Sequence, residues 1–466
     1  MSRAEAILYT LVAYKLALVA IGLWATRRTR DAGDFFLGGR RLGPWVAAIS
    51  ASASSSSAWT LVSVSGMAYL WGRPALWLFP AVLSGFMINW LWVAPRLRQA
   101  SLDNGAITLT EFLAGPDAAQ GWGRRIVVLA SVIVLFSFTF YVAAQFQAAG
   151  NAFASAFDLQ MSSAVLVGAG VVLLYTLLGG FWAVSVTDTL QGLVMALAAL
   201  VLPVAAVVTA GGPGPVIAAM AAAESAGTGA PTAGIAAAGF VFGTLGIGLG
   251  YPGQPHVVNR FMALRDARAL RAARVIALGW AVIIYSGMLA LGFAARALYG
   301  STLADEQVLF EVSNRLFAPV VAGIMIAAVL SAIMSTADSQ LLVAASSVSH
   351  DLPRREHGSL AVSRLVVALI SALAVVVALW LPQTIFVRVL FAWHALGAAF
   401  GPPLLVRLAG YELPSARVFA AMAAGFAGTV ALSWLPDTPG DWLERLAPFV
   451  ASLGICMVAA RRGSPA

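Results

Sequence analysis

Ser331-Ala332-Ile333-Met334-Ser335-Thr336-Ala337-Asp338-Ser339-Gln340 is a polar run inside an apolar segment, with Ile324 to Leu330 before it and Leu341 to Ala345 after. One carboxylate and five side chains able to hydrogen-bond stand in a stretch of membrane length. Hydrocarbon penalises such groups; a charged Asp costs ~2.5–3.5 kcal/mol at the bilayer centre on insertion scales. A chain keeps them there when they face a bundle interior, an ion or a polar cavity. On a helix Ala332, Ser335, Thr336 and Ser339 fall on one face, at spacings of three and four. Hydroxyl and carbonyl oxygens are ligands of hard cations, so this face suits an alkali cation such as sodium. Small hydroxylated residues that let two helices pack closely give the same pattern, and both readings stand at this point.

Composition fits a membrane protein. Of 466 residues, 60% are hydrophobic and only 10% are charged, the balance of a chain that lives in lipid. The single cysteine, Cys456, excludes an internal disulfide framework and a Cys-based metal cluster. The net charge of +8 does not point to nucleic acid, because the arginines sit in short loops between apolar segments, where topology needs them. The first apolar segment, 5–26, is too long for a signal-peptide core and reads as a retained helix.

Thirteen segments are long enough to span: 5–26, 44–70, 74–97, 126–150, 159–179, 182–209, 233–255, 272–297, 317–348, 362–381, 384–408, 416–435 and 445–461. The expected fold is therefore an all-α integral membrane protein of about thirteen transmembrane helices. The loops at 98–125, 210–232 and 298–316 are too short for a soluble domain, and no glycine loop follows a strand, which argues against an ATP-driven pump. Alternate loops collect the arginines: Arg27, Arg28, Arg30, Arg40 and Arg41, then Arg96 to Arg125, then Arg260 to Arg274, then Arg354, Arg355 and beyond. The other side has few, with Asp305, Glu306, Glu311, Asp437 and Asp441 for company. This bias puts the N-terminus outside and the C-terminus in the cytoplasm.

Two segments carry helix-breaking runs. Ser52 to Ser57 fill the centre of the second, and serine competes for backbone hydrogen bonds. The seventh, Phe240 to Pro255, has glycines and two prolines where a helix should continue. Paired interruptions point to inverted-repeat transporters, whose sites lie at unwound midplane backbone; low complexity and helix packing are the plainer reading. Asp188 in the sixth segment is a membrane carboxylate that needs a partner. Tyr141, Gln145 and Gln147 in the fourth support a polar cavity. His394 has no second His or Cys at ligand spacing, so no transition-metal site is expected.

Asp34-Phe-Phe-Leu-Gly-Gly-Arg40, Ile88-Asn-Trp90, Arg96-Leu-Arg98, Gly179-Gly-Phe-Trp-Ala-Val-Ser185, Gly253-Gln-Pro-His256 and Ser335-Thr-Ala-Asp-Ser-Gln-Leu-Leu342 together resemble the sodium:solute symporter family, and within it the sodium/proline symporter branch. The resemblance covers almost the whole chain. It implies an inverted five-plus-five repeat core with broken helices in spans two and seven, working by alternating access. The parts would be an N-terminal peripheral helix and loop (1–43), a first repeat (44–210), a second repeat (211–409) and two peripheral helices (410–466). The sodium site implied by the resemblance uses backbone oxygens of Ala53, Ser56 and Ala332 and the hydroxyls of Ser335 and Thr336. A second sodium site in some members maps onto Asp188, Ser335, Asp338 and Ser339. The solute pocket maps onto Tyr141, Tyr251 and Pro255, with Ser57, Trp59, Gln145 and Ile247 beside them. Three positions depart from the pattern. Ser55 replaces an aspartate, and Ile247 replaces a pocket tryptophan, which leaves the solute's identity open. Asp338 replaces a serine; it could offset the charge lost at Ser55, bind a proton or pair with an arginine.

The reading is a sodium-coupled symporter importing a small polar solute, proline or a related amino acid, across a bacterial plasma membrane. Sodium is cargo rather than a catalytic cofactor. The partners are solute, sodium and lipid bilayer, with no nucleic acid and no obligatory protein partner. A proton-coupled carrier using Asp188 or Asp338 is the alternative within the fold. A solute sensor would need an output module, and an enzyme a paired acid and base; neither is found.

Overall fold

With no water in hydrocarbon, apolar runs become helices, which satisfy their own backbone. The chain runs α1 (Arg3–Thr26), α2 (Pro44–Ser55), α3 (Val64–Trp71), α4 (Leu78–Met87), α5 (Ala94–Asp103) and a short α6 (Leu109–Ala114). Next come α7 (Gly121–Phe157), α8 (Met161–Thr176), α9 (Phe181–Thr209), α10 (Pro213–Ser225), α11 (Gly234–Gly246) and α12 (Pro255–Met262). The rest is α13 (Ala267–Tyr299), α14 (Val308–Leu316), α15 (Pro319–Ser346), α16 (Leu360–Trp380), α17 (Ile385–Leu408), α18 (Ser415–Leu432) and α19 (Trp442–Ala459). A two-residue antiparallel pair joins Tyr411–Glu412 to Arg461–Arg462. This computed structural model describes residues 2–26, 38–116, 118–177, 181–225, 230–353, 360–381 and 383–462. Arg27, Arg28, Arg30, Arg354, Arg355, the motif residues Asp34 to Leu37, and Gly179 and Gly180 lie outside them.

Among the described residues, ten helices are long and apolar enough to cross a membrane. The other three expected segments are helical too. The second is divided between α2 and α3, and α8 and α19 have 16 and 18 residues. The spans at Pro319–Asp351 and Ile385–Leu408 are the most enclosed, 83% and 89% buried, which makes α15 and α17 inner helices. By contrast α16 exposes Leu365, Leu369 and Leu373, a stripe at four-residue spacing suited to lipid. α15 packs against α1, α2, α7 and α9, and α17 packs against residues 247–253 and α19.

Backbone geometry changes where the sequence is rich in serine or in glycine and proline. α2 stops at Ser55, and Ser56 takes φ −112, ψ 73. The chain re-enters helix through a wide π turn, Trp59–Ser63, before α3. α11 gives way at Ile247 to a 3-10 stretch, Ile247–Gly253. Gln254 is extended, and Pro255 opens α12 from the first turn, where its missing N–H costs nothing. A parallel bridge ties the entry of α2 to the exit of α12: the Leu42 N–H donates to the Ala263 carbonyl (3.1 Å), and the Arg265 N–H donates to the Leu42 carbonyl (3.2 Å).

Candidate functional site

A helix that ends inside a protein leaves carbonyls without intrahelical donors. At the end of α2 the hydroxyls of α15 meet them. Ser335 Oγ lies 3.2 Å from the Ala53 carbonyl and 3.2 Å from the Ala332 carbonyl of its own helix. Thr336 Oγ1 donates to the Ser54 carbonyl (3.1 Å), and Ser54 Oγ donates back to the Ser335 carbonyl (3.3 Å). All five residues are fully buried. Four of the expected sodium ligands, Ala53, Ala332, Ser335 and Thr336, thus form one cluster of neutral oxygens, the donor set of a hard cation. Ser56 is one step on: its N–H donates to the Ala53 carbonyl (3.2 Å), and its hydroxyl turns toward Tyr285. Ser55 bonds to its own helix, at the Ser52 carbonyl.

One turn along α15 the chemistry differs. Asp188 Oδ2 accepts from Ser50 (2.9 Å), Ser54 (3.2 Å) and Ser339 (3.4 Å), and from the Arg260 guanidinium at 2.7 Å. Arg260 also donates to Ser50 Oγ and Ser339 Oγ, both at 2.6 Å, and to the His256 carbonyl. Arg260 and Asp188 are 2% and 0% exposed. This corrects the sequence reading, which counted Arg260 among the loop arginines that set topology. Pro255 starts a new helix, so Arg260 is still inside the bundle, more than one turn into α12. Asp188 and Ser339 are brought together as expected, but Asp338 does not share their hydrogen bonds. Asp338 Oδ1 accepts from Thr176 of α8. Lys15 of α1 points its Nζ at Met334 Sδ, one turn earlier on α15. Asp338 is therefore answered by a threonine rather than by an arginine.

The expected solute residues gather where the two divided segments face α7 and α17. Tyr141 of α7 donates to Ser57 Oγ (3.4 Å). Gln145 Oε1, one turn away, accepts the Ala58 N–H (3.1 Å), the first amide after the break. The Tyr251 ring meets Trp393 of α17 at 4.6 Å, edge to face, a favoured aromatic geometry. The Trp393 indole N–H donates to the Ile247 carbonyl (3.1 Å). Trp59 stacks obliquely on Phe386 at 5.9 Å and on Tyr285 at 6.4 Å. Pro255, buried, is joined to this group through Tyr251 and the 3-10 stretch rather than by a polar contact. Two glycines are needed for the approach. A Cβ at Gly250 would lie 2.1 Å from Trp393 Nε1, and one at Gly85 would lie 2.1 Å from the Tyr251 ring.

Sequence reasoning missed Arg260, Tyr285 and Trp393. For Arg260 the available signal was Pro255, which restarts the helix. Tyr285 and Trp393 are single aromatic residues in apolar runs, and nothing in the sequence distinguishes them from packing residues.

A profile of the sodium:solute symporter family matches residues 35–425. The "High-affinity proline transporter PutP" of Bacillus subtilis is 35% identical over 452 residues, 94% of this chain and 94% of its own. The "Sodium/proline symporter" of Escherichia coli is 33% identical over 443 residues, 91% of this chain and 87% of its own. A substrate-bound, outward-open Na+-coupled sialic acid symporter superposes with a TM-score of 0.78 over 98% of this chain and 99% of its own, at 18% identity. Mhp1, a nucleobase-cation-symport-1 family transporter, gives 0.58 over 91% and 93%, at 14% identity.

Proposed function

Because the chain belongs to the sodium:solute symporter family, we propose that its solute is a small amino acid, proline first among candidates. It is a multi-pass membrane transporter, not an enzyme, and it couples movement of a small solute to sodium. Sodium is held by Ala53, Ser56, Ala332, Ser335 and Thr336, and the solute by Ser57, Trp59, Tyr141, Gln145, Ile247, Tyr251 and Pro255. Residues 44–210 and 211–409 are the two repeats, flanked by peripheral parts at 1–43 and 410–466. The N-terminus faces outward and the C-terminus the cytoplasm of a bacterium.

The observation that carries the reading is the meeting of the Ser335 and Thr336 hydroxyls with the Ala53 and Ser54 carbonyls at the break. A sodium ion seated there would join α2 to α15 and fix the backbone that leads into Ser57. Each ligand then raises the other's affinity by the same factor. Proline as solute is supported by the two proline-transporting relatives. The indole absent at Ile247 is matched by Trp393, whose ring lies on Tyr251. Coupling through a proton on Asp188 is disfavoured, because Arg260 already neutralises that carboxylate.

The test is thermal stability of the purified protein in sodium against matched potassium and choline salts, then L-proline uptake into proteoliposomes. A saturable rise specific to sodium, with sodium-dependent uptake, is expected. A stability that ignores sodium, with uptake driven by a pH gradient alone, overturns the sodium site. Sodium-specific stabilisation without proline uptake overturns only the solute.

A further inference from the structure

Tyr285 of α13 is buried at 2% exposure, and its hydroxyl meets three others. Thr60 Oγ1 lies at 2.9 Å, Tyr251 OH at 3.4 Å and Ser56 Oγ at 3.5 Å. Ser56 and Thr60 belong to the divided segment around α2 and α3, and Tyr251 to the 3-10 stretch between α11 and α12. Among the described residues' hydrogen bonds, Tyr285 is thus the side chain that joins both interrupted segments at one atom. The ring is held on both sides, 6.4 Å from Trp59 and 6.4 Å from Phe86, and Phe86 in turn packs on Tyr251 at 5.2 Å.

We infer that Tyr285 is the positioning residue that couples the sodium site to the solute pocket. The inference rests on the sodium reading above and adds the link between its two sites. Ser56 supplies a backbone oxygen to the ion in that reading, while its side chain contacts Tyr285. An ion that draws in the Ser56 carbonyl also turns the Ser56 and Thr60 hydroxyls. Tyr285 OH is a single donor with several acceptors in reach, so a change on one side changes which partner it serves on the other. Tyr251, which lines the pocket, receives the result. Reciprocity requires solute at Tyr251 to favour sodium by the same factor.

The test uses the full-length protein with Cys456→Ser and a reporter on the Tyr251 side of the link, Ile247→Cys in the 3-10 stretch, labelled with N-ethylmaleimide with and without sodium. Sodium is expected to change the labelling rate several-fold in this parent. Adding Tyr285→Phe, which keeps the ring, should bring the ratio of the two rates close to one, while the sodium concentration for half-maximal thermal stabilisation stays within about twofold. Thr60→Val should reproduce the loss from the other end. A sodium response that survives in Tyr285→Phe overturns the inference. So does sodium stabilisation without any response in the parent, and so does a Tyr285→Phe protein that no longer binds sodium, since the residue would then belong to the ion site. A parent that sodium neither stabilises nor alters brings down the sodium reading itself, a result distinct from the other three.

Discussion

Two polar clusters share α15 within about one turn, and they have opposite electrostatics. Around Ser335 and Thr336, the two hydroxyls bond to neutral carbonyl oxygens. Around Ser339, the carboxylate of Asp188 is met by a guanidinium at 2.7 Å. The residue types on α15 are nearly the same in both places. Neutral oxygens gathered at a helix break gain from a cation, whereas a carboxylate with an arginine already on it has far less to gain. Hydroxyl spacing on a helix therefore identifies a polar seam, and only the charges on neighbouring helices tell a cation seat from a joint.

Arg260→Leu should break this contrast most severely. Removing one partner of a buried pair leaves the other charge uncompensated and costs about 3–5 kcal/mol of stability. The expected result is a large fall in thermal midpoint, with much of it recovered in the Asp188→Leu, Arg260→Leu double variant. A single variant as stable as the parent would mean that Asp188 is neutral or otherwise answered.

Glu306 gives the same question with a guanidinium nearby but not on it, since Arg388 bonds to Gln147 and to the Leu381 carbonyl. It lies between α13 and α14, and its Oε1 accepts the Ile385 N–H (2.6 Å) and Phe386 N–H (3.2 Å) at the start of α17. Burial, reinforced by the neighbouring Asp305, pushes its carboxyl up to about 7 despite those two bonds. The folded state then binds this proton more tightly than the unfolded one. The associated stability is present in full below the ordinary carboxyl range, near 4.5, and is lost as pH rises through about 7. The upper limit is about 3–4 kcal/mol at ~1.4 kcal/mol per pH unit. Thermal midpoints measured from pH 4.5 to 8 should fall more steeply in the parent than in Glu306→Gln; parallel curves would remove the effect.

Ser335→Ala sharpens the comparison with the smallest change. Sodium affinity should weaken about tenfold, ~1.4 kcal/mol, with little change in stability measured without sodium. If Ser339→Ala weakened sodium as much as Ser335→Ala, the two clusters would be one site.

Much of the fold was legible because hydrocarbon imposes simple requirements. Apolar runs of about twenty residues can hardly be anything but helices, and the serine run at 52–57 and the glycine-proline run ending at Pro255 coincide with changes in backbone geometry. Spacing on one helix could place Ser335, Thr336 and Ser339 on a common face. It could not show what stands opposite. Arg260 was misplaced because charge counting along the chain treats an arginine after a proline as a loop residue. The hydrogen bond from Thr176 to Asp338 joins residues 162 positions apart, and no local pattern records it. Trp393 and Tyr285 act through one polar atom each on an otherwise apolar ring, so periodicity reads both as ordinary core.

The 3-10 stretch rests on α17 through glycine. A Cβ at Gly253 would lie 2.6 Å from the Gly397 Cα, and one at Gly397 would lie 2.6 Å from the Gly250 Cα. Side chains that interdigitate lock two elements in register, because sliding means lifting each knob from its hole. At Gly253 and Gly397 bare backbone meets bare backbone, so the contact holds the separation between the two elements closely, while the teeth are supplied one turn away by the Trp393 indole on the Ile247 carbonyl and by the Gln254 amide on the Trp393 carbonyl. The joint is thus a hinge pin rather than a clamp along its whole length: close everywhere, keyed at one tryptophan. Alanine at either glycine would push the two faces apart and draw that key out of its slot.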